Sequence, residues 1–287
     1  MRKIFDILYA KFRLEFYKLS LFFCNKKDTE KNEIPIDVII PAINKNLDTL
    51  PLCIQGIRSC VTQKISNIYV VAPKNNEFLK LCEKENVIFI DENTVLGYSV
   101  KDIQIIAGGI DRSGWIFQQF LKLSGTIGTE RYFLVCDADH ILLKPHCFIT
   151  KSNKFIFYKS TEYHSPYYSN MQKLIGIKRK DHLSYVSHKM IFDKVILAEL
   201  KNKIEKKHQM SWDKAIIMSL DTSTASPFSE YEMYGHYVSK KNKINKPWGN
   251  KNLNNREISP YAYLQKKYAE NYFAVTFPKH SIYINPN

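Results

Sequence analysis

The chain has 287 residues and a mass of 33.6 kDa, with 45% hydrophobic residues, 24% charged residues and a formal net charge of +14. That balance excludes a disordered chain and collagen-like or mucin-like repeats, and the length suffices for one large α/β domain or two small ones with a sizeable core. No stretch approaches the roughly 18 consecutive apolar residues of a spanning helix, and no small-residue cleavage site follows the basic start, so the chain is expected neither to span a membrane nor to be secreted.

Cys24, Cys53, Cys60, Cys82, Cys136 and Cys147 form no C-x-x-C pair and mostly sit among apolar neighbours. Reduced core thiols and a cytoplasmic setting are expected, rather than a zinc ribbon or a disulfide scaffold. The charge is uneven: residues 1–27 carry seven Lys/Arg against two acids, and residues 240–256 carry six against none. Such focused charge suits a phosphate-bearing ligand or an acidic lipid surface, although a Lys-rich solvated face explains the second segment equally well.

At about 100° per residue, segment 1–27 places Phe5, Leu8, Tyr9, Phe12, Phe16, Leu19 and Phe23 on one arc, with Arg2, Lys3, Lys11, Arg13 and Lys18 on the remainder. A basic amphipathic helix of this kind lies in the headgroup layer of an anionic membrane; the alternative is a helix docked on its own domain or on a second subunit. A polar linker, 25–34, separates it from Pro35.

From there the pattern changes period. Short apolar runs at 37–43, 65–73 and 87–91 predict buried strands, and 50–61 and 75–85 predict intervening helices, an alternation that implies a mainly parallel sheet. Ser113 is placed to cap a helix reaching Leu123, with Ile116, Phe117, Phe120, Leu121 and Leu123 as its apolar face. Residues 131–136 form a central strand running into Asp137-Ala-Asp139. Strands at 155–160, 185–192 and 272–277 and helices at 212–220 and 260–268 complete the pattern, and Ser229 is expected to cap a helix in a box with Glu232.

Carboxylates at i and i+2 on the carboxyl end of a buried strand can face the same side, where ligands of open α/β sheets bind and where a hard divalent ion bridges to a diphosphate. An acidic turn capping a helix is the ordinary alternative. The first strand Asp37-Val-Ile-Ile-Pro41 together with Phe133-Leu-Val-Cys-Asp-Ala-Asp139 resembles the GT-A glycosyltransferases. Arg112-x-Gly-Trp115-x-x-Gln-Gln119, Ser187-His-Lys-Met190 and Phe228-Ser-Glu-Tyr-Glu-Met-Tyr-Gly235 look more closely like a DUF6492-like bacterial family of GT-A-like surface-polysaccharide proteins.

The resemblance spans about residues 35–285 and implies a Rossmann-like GT-A fold, mainly parallel and flanked by helices, behind the N-terminal amphipathic helix. It divides 35–287 into a nucleotide-sugar-binding half, 35–145, and an acceptor-binding half, 146–287. It implies a nucleotide-sugar donor, a divalent metal (Mn²⁺ or Mg²⁺), a glycan or lipid-linked glycan acceptor and hexosyltransferase-type activity in lipopolysaccharide or capsule synthesis. The location is then cytoplasmic, with peripheral contact at the inner membrane face. Asp137 and Asp139 match the D-x-D, Asp139 as direct metal ligand and Asp137 nearer the ribose or a metal-bound water, with His280 as a late third ligand. Pro41 and Ala42 line the base pocket, and Arg112, Trp115, Gln118 and Gln119 contact the donor.

For the acceptor's proton, Glu230 is the favoured carboxylate because the capping box accounts for Glu232; Asp213 is a second candidate and His188 an assisting group. Tyr163, His164, Tyr167, Tyr168 and Trp248 suit sugar faces, and 240–256 reads as a mobile lid. Two other functions compete. A nucleotidyltransferase would carry a glycine-rich loop after the first strand, which Pro41-Ala-Ile-Asn-Lys-Asn46 lacks, and a non-catalytic polyanion binder would survive loss of the D-x-D. No helix-turn-helix, RNA-recognition or zinc-finger signature points to nucleic acid.

Overall fold

The computed structural model describes residues 8–9, 12–17, 19 and 32–278. Strand β1 (Ile36–Pro41) is buried along its whole length, as an apolar run covered on both faces must be. Helix α1 (Leu50–Cys60), strand β2 (Ile65–Ala72), helix α2 (Asn76–Glu85) and strand β3 (Ile88–Asp91) follow in the expected alternation. Asn75 caps α2 by accepting the Phe78 N–H, and Asn86, at φ +50°, ends it in the left-handed region.

A small hairpin of β4 (Ile106–Ala107) and β5 (Ile110–Asp111) precedes helix α3 (Ser113–Leu123). The cap differs from expectation: Asp111 Oδ1 accepts the Ser113 N–H, while Ser113 Oγ turns to accept the Ile105 N–H. Strand β6 (Tyr132–Cys136) then crosses the core, followed by β7 (His140–Leu142), β8 (Phe155–Lys159), helix α4 (Ser165–Ile175), strand β9 (Lys189–Asp193), and helices α5 (Lys194–His208), α6 (Trp212–Ser219) and α7 (Glu230–Tyr237). The chain closes with β10 (Lys243–Pro247), β11 (Asn250–Asn252), helix α8 (Tyr261–Tyr268) and β12 (Ala274–Thr276).

The central sheet has the order β3-β2-β1-β6-β9, parallel throughout except that β9 runs antiparallel to β6. The protein is thus α/β with a mainly parallel sheet. Helix α3 packs on β1, α2 on β3 and α5 on β9. Strand β12 pairs with β7 and β11, so the late strand returns beside the Asp137–Asp139 turn. One buried cluster runs from Ile36 to Ala274 and takes residues from both halves of the chain.

Three expectations are corrected. The strand predicted from 185 begins only at Lys189, because His188 sits at φ +63°, a left-handed conformation that breaks the extended run. Segment 240–256 is strand-paired where a lid was expected: β10 lies parallel to β8 and β11 parallel to β12. Trp248 is 2% exposed, with Lys189 Nζ against its ring and His140 and His146 alongside, so it is core and offers no sugar face. Helices α4 and α5 have no counterpart among the sequence expectations.

The described N-terminal residues are helical and dock on the chain's own domain. Arg13, from the charged arc, is buried and donates to the Thr161 carbonyl, and Tyr9 OH accepts from Arg179 at 2.8 Å. Leu8, Phe12, Phe16 and Leu19 remain 57%, 52%, 40% and 55% exposed. Phe5 and Phe23 lie outside the described residues.

Gly235 in α7 has no room for a methyl group, since a Cβ there would stand 2.4 Å from the Tyr185 ring. Gly235→Ala is therefore expected to destabilise the fold by about 1–3 kcal/mol, read as a lower urea midpoint with unchanged slope.

Candidate active site

Strand β6 carries the chain through the core and releases it at Asp137, in a turn closed by the His140 N–H on the Asp137 carbonyl at 3.0 Å. Asp137 is fully engaged. Its Oδ1 accepts from Lys122 Nζ at 2.7 Å and Tyr231 OH at 3.1 Å, and its Oδ2 accepts from His188 Nδ1 at 3.2 Å. Burial alone would raise this carboxyl, but the Lys122 charge and the His188 and Lys122 hydrogen bonds hold it well below the usual carboxylate range. His188 answers in kind: burial disfavours its charge, yet the bond to Asp137 and the nearby acids raise its pKa.

Asp139 differs. Among the described residues no other side chain pairs with its carboxylate, and burial together with the charge of Asp137 pushes its pKa up to about 6. One carboxylate is saturated by protein donors and its neighbour is short of positive charge, which fits a divalent cation held by Asp139 with diphosphate and water oxygens. Among the described residues no cluster of three or more His, Cys, Asp or Glu side chains is arranged to hold a metal. His280 lies outside the described residues, two positions beyond Pro278, which lines the site.

These groups open into a cavity of about 440 Å³, within the range of small-ligand sites. The structure brings together Arg112, Trp115, Gln118, Gln119, Asp137, Asp139, His188 and Glu230 in its wall. The Arg112 guanidinium lies 4.2 Å over the Trp115 ring, and Gln118 Nε2 points to the Pro41 carbonyl at 3.4 Å. Gln119 Oε1 accepts the Glu230 N–H, tying α3 to α7.

Three sequence candidates fall elsewhere. Pro41 and Ala42 are strand-end residues outside the lining, where Ile43, Lys45 and Asn46 take their place. Asp213 is away from the cavity, accepting from Tyr98 OH at 2.7 Å and the Lys214 N–H. Glu230 is in place but buried, with Lys122 Nζ 2.7 Å from its Oε1. Ser229 caps α7 as expected, whereas the Glu232 carboxylate, rather than closing the box, gathers Ser184 Oγ, Tyr168 OH and the Tyr185 N–H.

Lys122, Glu162 and Tyr231 also line the wall without having been singled out from sequence, and Tyr167, one of the aromatics expected to suit a sugar face, lines it too. For Lys122 the signal existed: it lies seven residues after Trp115 and four after Gln118, on the same helical face. Glu162, in a loop, has no such periodicity.

The family described as a family of unknown function (DUF6492) matches residues 34–275. No curated protein matches. Among solved structures, the galactosyltransferase LgtC in complex with donor and acceptor sugar analogues is similar over 84% of this chain and 87% of its own, at 10% identity and a TM-score of 0.41. The apo structure of the bifunctional glycosyltransferase WbbM covers 87% of this chain and 46% of its own, at 10% identity and a TM-score of 0.48. Glucosyl-3-phosphoglycerate synthase from Mycobacterium tuberculosis, with Mg²⁺ and uridine diphosphate, covers 38% and 34%, at 16% identity and a TM-score of 0.26. With its match running through the central sheet and the Asp137–Asp139 cavity, the chain belongs to the DUF6492 family.

Proposed function

We propose that this protein is a metal-dependent glycosyltransferase of the GT-A kind. It moves a hexosyl group from a nucleotide-sugar donor to a glycan or lipid-linked glycan in bacterial lipopolysaccharide or capsule synthesis. The observation that carries the reading is the asymmetric carboxylate pair at the end of β6: Asp137 is neutralised by Lys122 and His188, and among the described residues Asp139 has no side-chain partner in the same cavity.

Residues 35–145 supply the donor side. Arg112, beside the start of α3, pairs with a diphosphate oxygen, and Trp115 and Gln118 face the rest of the donor. Asp139 would hold the divalent ion beside the already engaged Asp137, and the ion supplies charge neutralisation for the leaving diphosphate when bound. Residues 146–287 supply the acceptor side, including Tyr167 and His188. Glu230, through Lys122, keeps the buried cation in position beside Asp137.

The test is a thermal-shift titration with UDP, CMP, GDP and TDP, each with and without Mn²⁺ or Mg²⁺. One nucleotide is expected to add about 2.7 kcal/mol at 100 times its dissociation constant, and only with metal. No response to any pair would reject the reading.

The exposed side chains of Leu8, Phe12, Phe16 and Leu19, in a segment whose sequence is rich in Lys and Arg, support a peripheral membrane contact for the same enzyme. Phe12→Asp is expected to abolish cosedimentation with phosphatidylserine-containing vesicles and to leave the nucleotide response intact.

A further inference from the structure

We propose that Glu162 is the catalytic base, the group that takes the proton from the acceptor hydroxyl; the inference rests on the glycosyltransferase reading above. Five carboxylates line the cavity: Asp111, Asp137, Asp139, Glu162 and Glu230. Asp111 is spent on the Ser113 N–H, Asp137 on three donors, and Glu230 on Lys122. Asp139 would hold the donor's cation. Among the described residues the Glu162 carboxylate has no hydrogen bond and no ion pair, so its lone pairs are available to a ligand.

Its placement also suits the task. Glu162 stands on the loop between β8 and α4, on the wall formed by the acceptor half with Tyr167, Val186 and His188, whereas Arg112, Trp115 and Gln118 come from the donor half. The loop is fixed at several points. The Glu162 N–H donates to Ser160 Oγ at 3.2 Å, Ser160 pairs with Ser184 through both backbone bonds, and Arg13 holds the Thr161 carbonyl. A carboxylate so anchored keeps its aim without a partner on its own oxygens.

The surroundings tune it as well. Burial pushes the Glu162 carboxyl up to about 7, the Glu232, Asp137 and Glu230 charges add to this, and His188 pulls the other way. A base of that strength is matched to proton transfer near neutral pH.

In the step, the acceptor O–H gives its proton to a Glu162 carboxylate oxygen as the acceptor oxygen bonds to the anomeric carbon. The bond from that carbon to the diphosphate oxygen breaks, and its electron pair leaves on the nucleoside diphosphate. Solvent then removes the proton from Glu162. A single displacement of this kind inverts the configuration at the anomeric carbon.

The experiment compares wild type, Glu162→Gln and Glu162→Asp for nucleoside diphosphate release from uridine, guanosine, cytidine and thymidine nucleotide sugars, with Mn²⁺ and with water as acceptor. The thermal shift given by the matching nucleoside diphosphate and Mn²⁺ is read alongside. Glu162→Gln is expected to lose release by 10²-fold or more with the thermal shift unchanged, and Glu162→Asp to keep an intermediate rate. Release by Glu162→Gln within twofold of wild type overturns the proposal and leaves the glycosyltransferase reading standing. Loss of the thermal shift together with release assigns Glu162 to donor binding or folding and also overturns it. A wild-type protein that neither binds nor turns over any of the compounds overturns both.

Discussion

Asp139→Asn is expected to raise the melting temperature of the metal-free protein at pH 7.5 while abolishing its metal-dependent response to nucleoside diphosphates. In the fold this carboxyl titrates at about 6 against an ordinary 3.8, because it is buried and faces Asp137. A group whose folded pKa is raised stabilises the fold in its protonated form: the advantage is complete below about 3.8, falls as pH rises, and is gone above about 6. The ionised group therefore costs on the order of 2–3 kcal/mol at neutral pH, after allowing for its partial contact with solvent. Asparagine removes that cost, and for a chain of this size the gain corresponds to roughly 4–8 °C. Thermal denaturation at pH 7.5 and pH 5 checks it, with the difference narrowing at the lower pH. A variant less stable than wild type in metal-free buffer at pH 7.5 would show that Asp139 is not held against its electrostatic preference. A site that gives up stability in order to bind is the expected signature of function.

The parallel βα units were legible because their strands are apolar on both faces and their helices begin and end on Asn75, Asn86 and similar capping residues. The Asp137–Asp139 pair was legible for the same reason: two carboxylates at the end of a fully apolar strand lose solvation that a bound cation or a buried partner must offset. The second half was harder. Helix α4 opens on Ser165-Pro166 and closes on a left-handed Gly176, ordinary signals masked by a run of tyrosines that resembles a loop. The basic segment resembled a lid because its strands are short and pair with distant partners, β8 and β12, through backbone bonds that composition does not encode. Lys122 and Glu162 were missed because their role depends on which side chains tertiary folding brings within reach. A lysine late in a helix reads as solvated until Asp137 and Glu230 are found on either side of it. Glu230 was found, but its partner could not be.

Lys122→Met is expected to be among the most destabilising single substitutions in the protein, by about 3–5 kcal/mol. Its ammonium is 2.7 Å from both Asp137 Oδ1 and Glu230 Oε1, its side chain is 6% exposed, and it lies over the Tyr231 ring. Methionine fills much of the volume but leaves two carboxylates facing each other without the cation between them. The lost term is electrostatic, so the penalty has a pH signature. Asp137 is held below its ordinary pKa by this contact, so its contribution is present above the unfolded value and fades as pH falls through the usual carboxylate range toward the folded one. Wild type and variant should therefore converge in acid. Urea unfolding at pH 7 of Lys122→Met, Asp137→Asn and the double variant gives the coupling, and the double variant is expected to recover at least about 1 kcal/mol relative to additivity. Mn²⁺ supplies a second, independent reading. With Lys122 gone, the pair of aspartates carries more uncompensated negative charge, so the ion alone should restore part of the lost stability and bind the variant more tightly than wild type. Loss of packing predicts neither the coupling nor the rescue. An additive cycle with no response to Mn²⁺ would mean that Lys122 supports the fold only by filling space, and that the asymmetry between Asp137 and Asp139 has another origin.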